Sequence, residues 1–349
     1  MKTAIGLSMT GDGNWDEVSD YVVEAEKLGV DFVWSAEAWG FDAVTPLAYL
    51  AAKTSKIKLG AGIMQAVART PANTAMTAMT LASMSGGRFV MGLGASGPQV
   101  VEGWHGVPFR KPIRRIREVI EIVRLVSAGQ KLQYDGEIFH LPLPGGEGKA
   151  IKSGAPPVAA QVPVYLATLS PVSLEMTGEI ADGWVGTSFI PAHADVFFDH
   201  IKRGAEKAGR SMADIDLQAG GSFAISDDVD KLIARHRPGI AFTLGAMGSK
   251  EHNFYNAAFR RAGYEEEGIA VQRKWLEGDR IAAAQMVPDE MVTGANLLGT
   301  ESMVRDRIRA YRDAGVTTLR LAPDGRSLAD RIEGLGQALR LVKEVNAEG

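Results

Sequence analysis

The feature that most constrains this chain is a repeated alternation of short apolar runs with longer amphipathic segments along its 349 residues. The short runs predict eight strands, at residues 4–8, 31–35, 57–63, 88–93, 164–166, 183–187, 215–225 and 317–321. Apolar residues at helical spacing predict helices between nearly all of these strands. Eight βα units in a chain of this length predict a closed (β/α)8 barrel, a TIM barrel.

Two segments interrupt the alternation and predict insertions after strands four and seven. Residues 132–139 contain an Asp-Gly pair and predict a hairpin, and a loop rich in glycine and proline follows over 142–157. Residues 228–290 predict a long, mostly helical insertion. We expect the hairpin and residues 241–264 to shape the mouth of the pocket. Because no repeat or flexible linker divides the chain, we expect a single domain over residues 1–349.

The composition argues against several classes of function. The chain has no cysteine, which excludes a disulfide framework, a thiolate metal site and a cysteine nucleophile. Its net charge is −4, from 38 basic and 42 acidic residues, and this gives no indication of a nucleic-acid partner. The six histidines show no spacing typical of a metal site. No apolar run approaches the ~18 residues of a membrane span, and no signal peptide is recognisable, so we expect a cytoplasmic protein.

Residues 92–97, GLGASG, match the G-x-G-x-x-G pattern and make a nicotinamide-dependent Rossmann enzyme an alternative. That fingerprint needs an uninterrupted helix whose N-terminus faces a pyrophosphate. Here Pro98 follows directly, at most one helical turn extends to Glu102, and glycines and prolines break the chain as far as residue 114. The sequence therefore favours a loop that forms one wall of a site at the end of strand four.

A barrel places its site at the carboxyl ends of the strands. The residues expected there are mostly small and apolar with one carboxylate: Ser8, Met9, Glu37, Trp39, Gly62, Ile63, Met64, Gly94 to Gln99, Ala167 to Ser170, Thr187, Ser188, Phe223, Ala322 and Pro323. Such a pocket suits a flat aromatic cofactor that supplies the chemistry itself. Ser170 before Pro171 predicts a capped helix start, whose N–H groups, with the hydroxyls of Thr168 and Ser173, indicate a phosphate site. An ordinary capped helix is the alternative.

At these residues the chain resembles the luciferase-like superfamily of (β/α)8 flavin and deazaflavin enzymes. The likeness is greatest to the branch that uses coenzyme F420, which includes methylenetetrahydromethanopterin reductase. It covers nearly the whole chain, and its most specific segments are residues 85–89, 96–106, 181–184, 247–249 and 253–255. The resemblance implies an oxidoreductase that transfers a hydride between F420 and a small organic substrate. We also expect a homodimer or a higher homo-oligomer.

Two other functions stay open. One is an FMN-dependent monooxygenase of the same fold, in which reduced flavin reacts with oxygen. The other is a protein that binds the cofactor without turnover.

The resemblance also implies roles for individual residues. Those that match the cofactor-binding pattern are Glu37, Gly62, Ile63, Ala95, Ser96, Gln99, Ala167, Thr168, Leu169, Ser170 and Thr187. Gly62-Ile63 matches the place where relatives carry a non-proline cis peptide against the ring, and Gly92 and Gly94 are expected to let the backbone approach that ring. Trp39, Phe41 and Trp104 are assigned to the substrate side, with packing under a loop as the alternative.

Two departures from the pattern leave the proton donor open. Several deazaflavin relatives carry a histidine where this chain has Ala38, and some carry a glutamate in the strand-four loop, near Pro98 and Gln99. The candidates for the catalytic proton donor are Glu37, Glu102 and His105, in that order.

Overall fold

The computed structural model describes residues 1–7, 14–158, 162–249 and 253–348. Ser8 and Met9, expected at the end of the first strand, lie outside the described residues. The chain separates into two compact units. We call residues 1–31 with 168–349 the split unit, and residues 32–167 the continuous unit. The expectation of a single domain stays a prediction.

The strands fall close to the positions that the sequence predicts. They are β1 Lys2–Gly6, β2 Phe32–Ser35, β3 Lys58–Ala61, β4 Met64–Gln65, β5 Phe89–Gly94, β6 Tyr134–Asp135, β7 His140–Leu141, β8 Val164–Leu166, β9 Gly183–Val185, β10 Asp216–Ile225, β11 Leu297–Gly299 and β12 Thr318–Pro323. The eight predicted strands are β1, β2, β3, β5, β8, β9, β10 and β12. The sequence missed β4 and β11, which are only two and three residues long.

Helices separate nearly all of these strands. They are α1 Trp15–Leu28, α2 Val44–Lys53, α3 Pro71–Met84, α4 Pro98–Gly103, α5 Pro112–Ser127, α6 Pro171–Ile180, α7 Asp195–Lys207, α8 Val229–Ala246, α9 Phe254–Arg261, α10 Glu265–Leu276, α11 Arg280–Gln285, α12 Asp289–Gly294, α13 Glu301–Asp313 and α14 Leu328–Asn346. Among the described residues, no helix is long and apolar enough to cross a membrane.

The continuous unit contains four parallel strands in the order β2, β3, β5, β8. Its core is built around Trp34, which is 2% exposed. A Cβ atom at Gly60 would lie 2.3 Å from the Trp34 ring, and one at Gly92 would lie 1.8 Å from the Ala61 carbonyl oxygen. The chain's own packing therefore already demands glycine at 92, because a side chain there would collide with the neighbouring strand.

A hairpin follows α5 in the continuous unit, as the sequence predicts. Its strands are β6 and β7, and Gly136 N donates to Phe139 O across the turn. The turn is therefore longer than a two-residue Asp-Gly turn. The reason is Glu118, a fully buried carboxylate that accepts the backbone N–H groups of three consecutive loop residues, 137–139, at 2.7–3.0 Å.

The split unit contains four parallel strands in the order β9, β10, β12, β1, and β11 pairs with the end of β10. The predicted helical insertion consists of α8 to α12 and ends at Gly294. Its helices pack around buried apolar side chains that include Leu244, Phe259 and Val271. The Asn256 amide donates to Leu244 O at 3.0 Å and Gly268 O at 2.7 Å, which joins α9 to α8 and α10.

Candidate active site

The predicted acid Glu37 lies just after β2 in the continuous unit, and its carboxylate is almost completely enclosed. Its side chain is 7% exposed. Arg69 binds it with both arms of the guanidinium, Nη1 to Oε1 and Nη2 to Oε2, each at 2.9 Å. The backbone N–H of Gln65 donates to Oε1 at 3.0 Å and that of Ala43 to Oε2 at 3.2 Å. Four donors therefore meet one carboxylate.

These donors decide the charge of Glu37. Burial alone would raise its pKa, but the hydrogen bonds from Arg69 and from the Gln65 and Ala43 backbones outweigh it and hold the pKa below the ordinary value. Glu37 is therefore an anion at neutral pH, with both oxygens occupied. Such a carboxylate has no proton to donate and is suited to fixing the backbone on either side of it. Its catalytic assignment stays a prediction.

Gln65, on β4, links the Glu37 region to the loop that follows β5. Its side-chain amide donates from Nε2 to Ala38 O at 2.7 Å, and its Oε1 lies 3.2 Å from His105 Nε2. Because Gln65 Oε1 can only accept, His105 Nε2 carries the hydrogen in this pair. The structure therefore brings together two of the proposed proton donors, Glu37 and His105, through one buried amide. The third, Glu102, accepts the Phe109 N–H at 2.9 Å and closes its own loop.

The Gly62-Ile63 peptide bond is cis, as the resemblance implies. Glu37 N donates to Ile63 O at 3.3 Å, so the residue that follows the cis bond is hydrogen-bonded to the Glu37 backbone. A Cβ atom at Gly94 would lie 3.0 Å from the Ile63 side chain. Ser96, in the glycine motif, has φ +60, in the left-handed region that non-glycine residues rarely adopt. Non-glycine residues in that region cluster at functional sites.

Most of the remaining predicted site residues of the continuous unit are exposed to solvent. Trp39, Phe41 and Trp104 are 58%, 53% and 65% exposed, so none of them is an ordinary core aromatic. Gln99 is also exposed, on α4. Ala167 N donates to Leu93 O at 3.1 Å, which places Ala167 beside the glycine motif. The assignment of the three aromatic side chains to the substrate side stays a prediction.

The predicted phosphate site lies in the split unit at the start of α6, and much of its polar capacity is already used. Ser170 and Ser173 form a capping box in which each side chain accepts the other's backbone N–H, at 3.1 and 3.4 Å. The Thr168 hydroxyl lies 2.7 Å from the Thr177 hydroxyl and is buried. The backbone N–H of Val172 has no acceptor among the described residues. It is therefore a donor that remains for an anion.

Arg261, at the end of α9, adds a cation beside this helix start. Its Nη2 donates to Leu169 O at 2.5 Å. Within the described parts of the chain, Arg261 has no carboxylate partner. Burial lowers its pKa without removing its charge at neutral pH. The start of α6 therefore offers a backbone donor and a guanidinium to an anionic group.

Sequence reasoning missed Arg69, Gln65 and Arg261. Arg69 lies 32 positions after Glu37 and Arg261 lies 92 positions after Leu169. No local pattern joins residues so far apart. The one available signal was the rule that a buried carboxylate needs a partner, which points to a cation without saying which one.

Comparisons with known proteins identify the family. A family model described as luciferase-like monooxygenase matches residues 2–318. The chain belongs to this luciferase-like family. It is 38% identical to a Mycobacterium tuberculosis protein named for a coenzyme F420-dependent oxidoreductase, over 91% of this chain and 94% of that protein. It is 32% identical to 5,10-methylenetetrahydromethanopterin reductase of Archaeoglobus fulgidus, over 89% of this chain and 91% of that protein.

A solved structure confirms the fold class of this luciferase-like enzyme. The coenzyme F420-dependent tetrahydromethanopterin reductase of Methanopyrus kandleri matches with a TM-score of 0.80 and 26% identity, over 99% of both chains. The fold is therefore the (β/α)8 barrel predicted from the sequence, and the Rossmann alternative is excluded. The resemblance to the F420-dependent branch is confirmed as well.

Proposed function

We propose that the protein is an oxidoreductase that transfers a hydride between coenzyme F420 and a small organic substrate. The observation that carries the proposal is similarity over about nine-tenths of the chain to two relatives, one named for a coenzyme F420-dependent oxidoreductase and the other for a reductase of methylenetetrahydromethanopterin. The Methanopyrus kandleri reductase, matched over 99% of this chain, is named for the same coenzyme. When bound, the deazaflavin supplies the hydride chemistry, and the protein supplies position and a dry environment.

The residues present fit such a cofactor. Its anionic tail would be held at the start of α6, where the Val172 N–H and the Arg261 guanidinium are available. Its ring would be held by the loop that contains Ala95 and Ser96 and by the Gly62-Ile63 peptide. These assignments, with those of Gln99, Ala167 and Thr187, are proposals that mutation and binding measurements can test.

Glu37 and His105, which both bind Gln65, would have different roles. Glu37, locked by four donors, fixes the loop that carries Trp39 and Phe41, because the Ala43 N–H binds the same carboxylate. His105 donates from Nε2 to Gln65, which leaves Nδ1 as the atom that can hold a proton. We therefore place His105 ahead of Glu37 as the proton donor, reversing the order that the sequence suggested.

The decisive experiment is coenzyme binding to the purified protein, followed by the fluorescence of F420 and of FMN. We expect F420 to bind at least tenfold more tightly than FMN. Tighter binding of FMN, together with oxygen consumption when a flavin reductase is added, would instead identify a monooxygenase. Absence of hydride exchange on bound reduced F420 would identify a binding protein without turnover.

A matched pair of variants tests the tail site. Arg261→Met should weaken F420 binding about tenfold, because one charge-assisted contact to an anion is lost. Arg260→Met is the control, since Arg260 is exposed and pairs with Glu265 at 2.6 Å. Equal loss of affinity in both variants would remove Arg261 from the site.

A further inference from the structure

Arg320, on β12, lies in the wall of a cavity of about 330 Å³ in the split unit. That volume is enough for a small organic ligand. The polar side chains in the wall are Thr187, Ser188, Ser222, Thr243, Asn296 and Arg320. Among the described residues that line it, there is no carboxylate and no second cation. The cavity therefore carries one net positive charge.

The Arg320 guanidinium is poorly paired for a charge in this position. Within the described part of the chain, its one hydrogen bond runs from Nη1 to Gly186 O, at 3.1 Å. No carboxylate in the described ranges lies within ion-pair distance of it. The Arg320 side chain is half-buried, with the cavity on its exposed side. The protein around it removes most of its contact with water. That desolvation lowers its pKa to about 10, which leaves it charged at neutral pH.

Ser188 provides a second, independent observation in the same wall. Its Oγ is buried and has no hydrogen-bond partner among the described residues. Its φ of +55 places it in the left-handed region, which is costly for serine. Buried charges are normally paired and buried hydroxyls are normally bonded. Two such groups belong to residues in the wall of one cavity, which directs attention to a ligand there.

The side-chain amide of Asn296, in the same wall, pairs with neither Arg320 nor Ser188. Asn296 Oδ1 accepts the Ser222 N–H at 2.9 Å, and its Nδ2 donates to Val292 O at 2.8 Å. Its oxygen is therefore engaged and does not oppose an anion. Among the described residues of the wall the only formal charge is the Arg320 guanidinium, which favours a ligand that accepts hydrogen bonds and carries negative charge.

We propose that the substrate carries a carboxylate that binds the Arg320 fork, with the Ser188 hydroxyl as a further donor. A carboxylate matches the planar guanidinium in shape, and its single charge equals the charge of the cavity. The inference rests on the proposed function only in calling the bound anion a substrate. The anion site itself stands on the cavity, the unpaired guanidinium and the unbonded hydroxyl.

The first experiment measures the site without any coenzyme. Two probes of nearly equal size, 4,4,4-trifluorobutyrate and 4,4,4-trifluorobutanol, are titrated by fluorine NMR. We expect the carboxylate to bind at least tenfold more tightly than the alcohol, and Arg320→Met to abolish that preference. Arg309→Met is the control, since Arg309 is a surface residue paired with Glu348. Equal binding of the two probes to the wild-type protein would overturn the proposal.

Two further arms sharpen the result. Ser188→Ala should weaken trifluorobutyrate binding about threefold, and it provides a test should Arg320→Met fail to fold. Inorganic phosphate should displace the probe less effectively than acetate does. If phosphate displaces it more effectively, the carboxylate assignment is wrong.

The last arm separates this inference from the proposed function. F420 binding to Arg320→Met should stay within threefold of the wild-type affinity, while binding of trifluorobutyrate is lost. A tenfold loss of F420 affinity would show that the anion belongs to the coenzyme, and would overturn the substrate assignment. If the wild-type protein binds trifluorobutyrate but not F420, the proposed function fails while the anion site stands.

Discussion

Two partly buried arginines in this protein have opposite environments. Arg69, in the continuous unit, places both arms of its guanidinium on Glu37 at 2.9 Å. Arg320, in the split unit, has one backbone carbonyl at 3.1 Å and faces a cavity. The first is completed by the protein itself. The second is left incomplete, and an incomplete buried charge is the more informative of the two about a ligand.

The contrast separates a residue that holds the fold from one that is available to bind. Arg69 and Glu37 neutralise one another, and both carboxylate oxygens of Glu37 are occupied. An unpaired buried charge reduces stability, and proteins commonly give up stability in this way at functional sites. The four predictions below run from the largest expected effect to the smallest.

The largest effect should come from Glu37→Gln. Removing the Glu37 charge leaves the Arg69 guanidinium with the half-exposed Asp42 carboxylate, 3.8 Å from Nη2, as its remaining ion-pair partner among the described residues. The free energy of unfolding should therefore fall by about 3 kcal/mol. Urea denaturation measures this change. The control is Glu24→Gln, which removes an exposed pair with Lys27 and should cost under about 0.5 kcal/mol. A loss below about 1 kcal/mol in Glu37→Gln would contradict a stabilising role for the Arg69–Glu37 pair, which we call the clamp.

A double-mutant cycle should isolate the pair itself. Arg69→Met alone should destabilise the protein about as much as Glu37→Gln, and the double variant should lose less than the sum. We expect a coupling energy of about 2 kcal/mol. Additive losses would mean that Arg69 and Glu37 act through separate contacts.

Arg320→Met should behave in the opposite way. Because an unpaired buried charge is replaced by an apolar side chain, the free energy of unfolding should stay the same or rise by about 1 kcal/mol. Thermal and urea denaturation of the protein without ligand are the measurements. A loss of about 2 kcal/mol or more would show that Arg320 is a structural residue and would remove the contrast with Arg69.

The smallest effect should be the pH dependence of the clamp. The pKa of Glu37 is lowered in the folded protein, so its stabilisation is fully present above the ordinary glutamate pKa of about 4.3. It is lost as the pH falls through the lowered folded value. The difference in unfolding free energy between wild type and Glu37→Gln should therefore be constant near neutrality and shrink in acid. If the difference in unfolding free energy grows in acid, the pKa of Glu37 is not lowered by folding.

Elements with strong local patterns could be predicted from the sequence. Helical spacing of apolar residues from about 71 to 84 and from 328 to 346 predicts two helices, and α3 and α14 occupy these residues. Pro71 follows a capping Thr70, and Ser327 caps α14, so both starts are marked in the sequence. The helical insertion and the single turn after Pro98 were also predicted. The cis peptide at Gly62-Ile63 was expected from the family resemblance, because no local sequence pattern indicates it.

The candidate site was predicted less completely, because its partners lie far apart in the chain. Thr168 was expected to offer its hydroxyl to a phosphate, but that hydroxyl lies against Thr177. Gly92 was expected to let backbone approach a ring, but the Ala61 carbonyl already occupies the space that its side chain would need. In both cases the deciding neighbour belongs to another element.

By itself the sequence determined the alternation of strands and helices, the family, and the strand ends at which the site residues were expected. Those properties depend on spacing along the chain, where periodicity and capping act. Only the tertiary structure decided which charges are satisfied. Arg69 and Arg320 are the same residue type, and nothing in their flanking sequences separates them. Pairing depends on distances between elements, and these distances are set by packing rather than by local sequence.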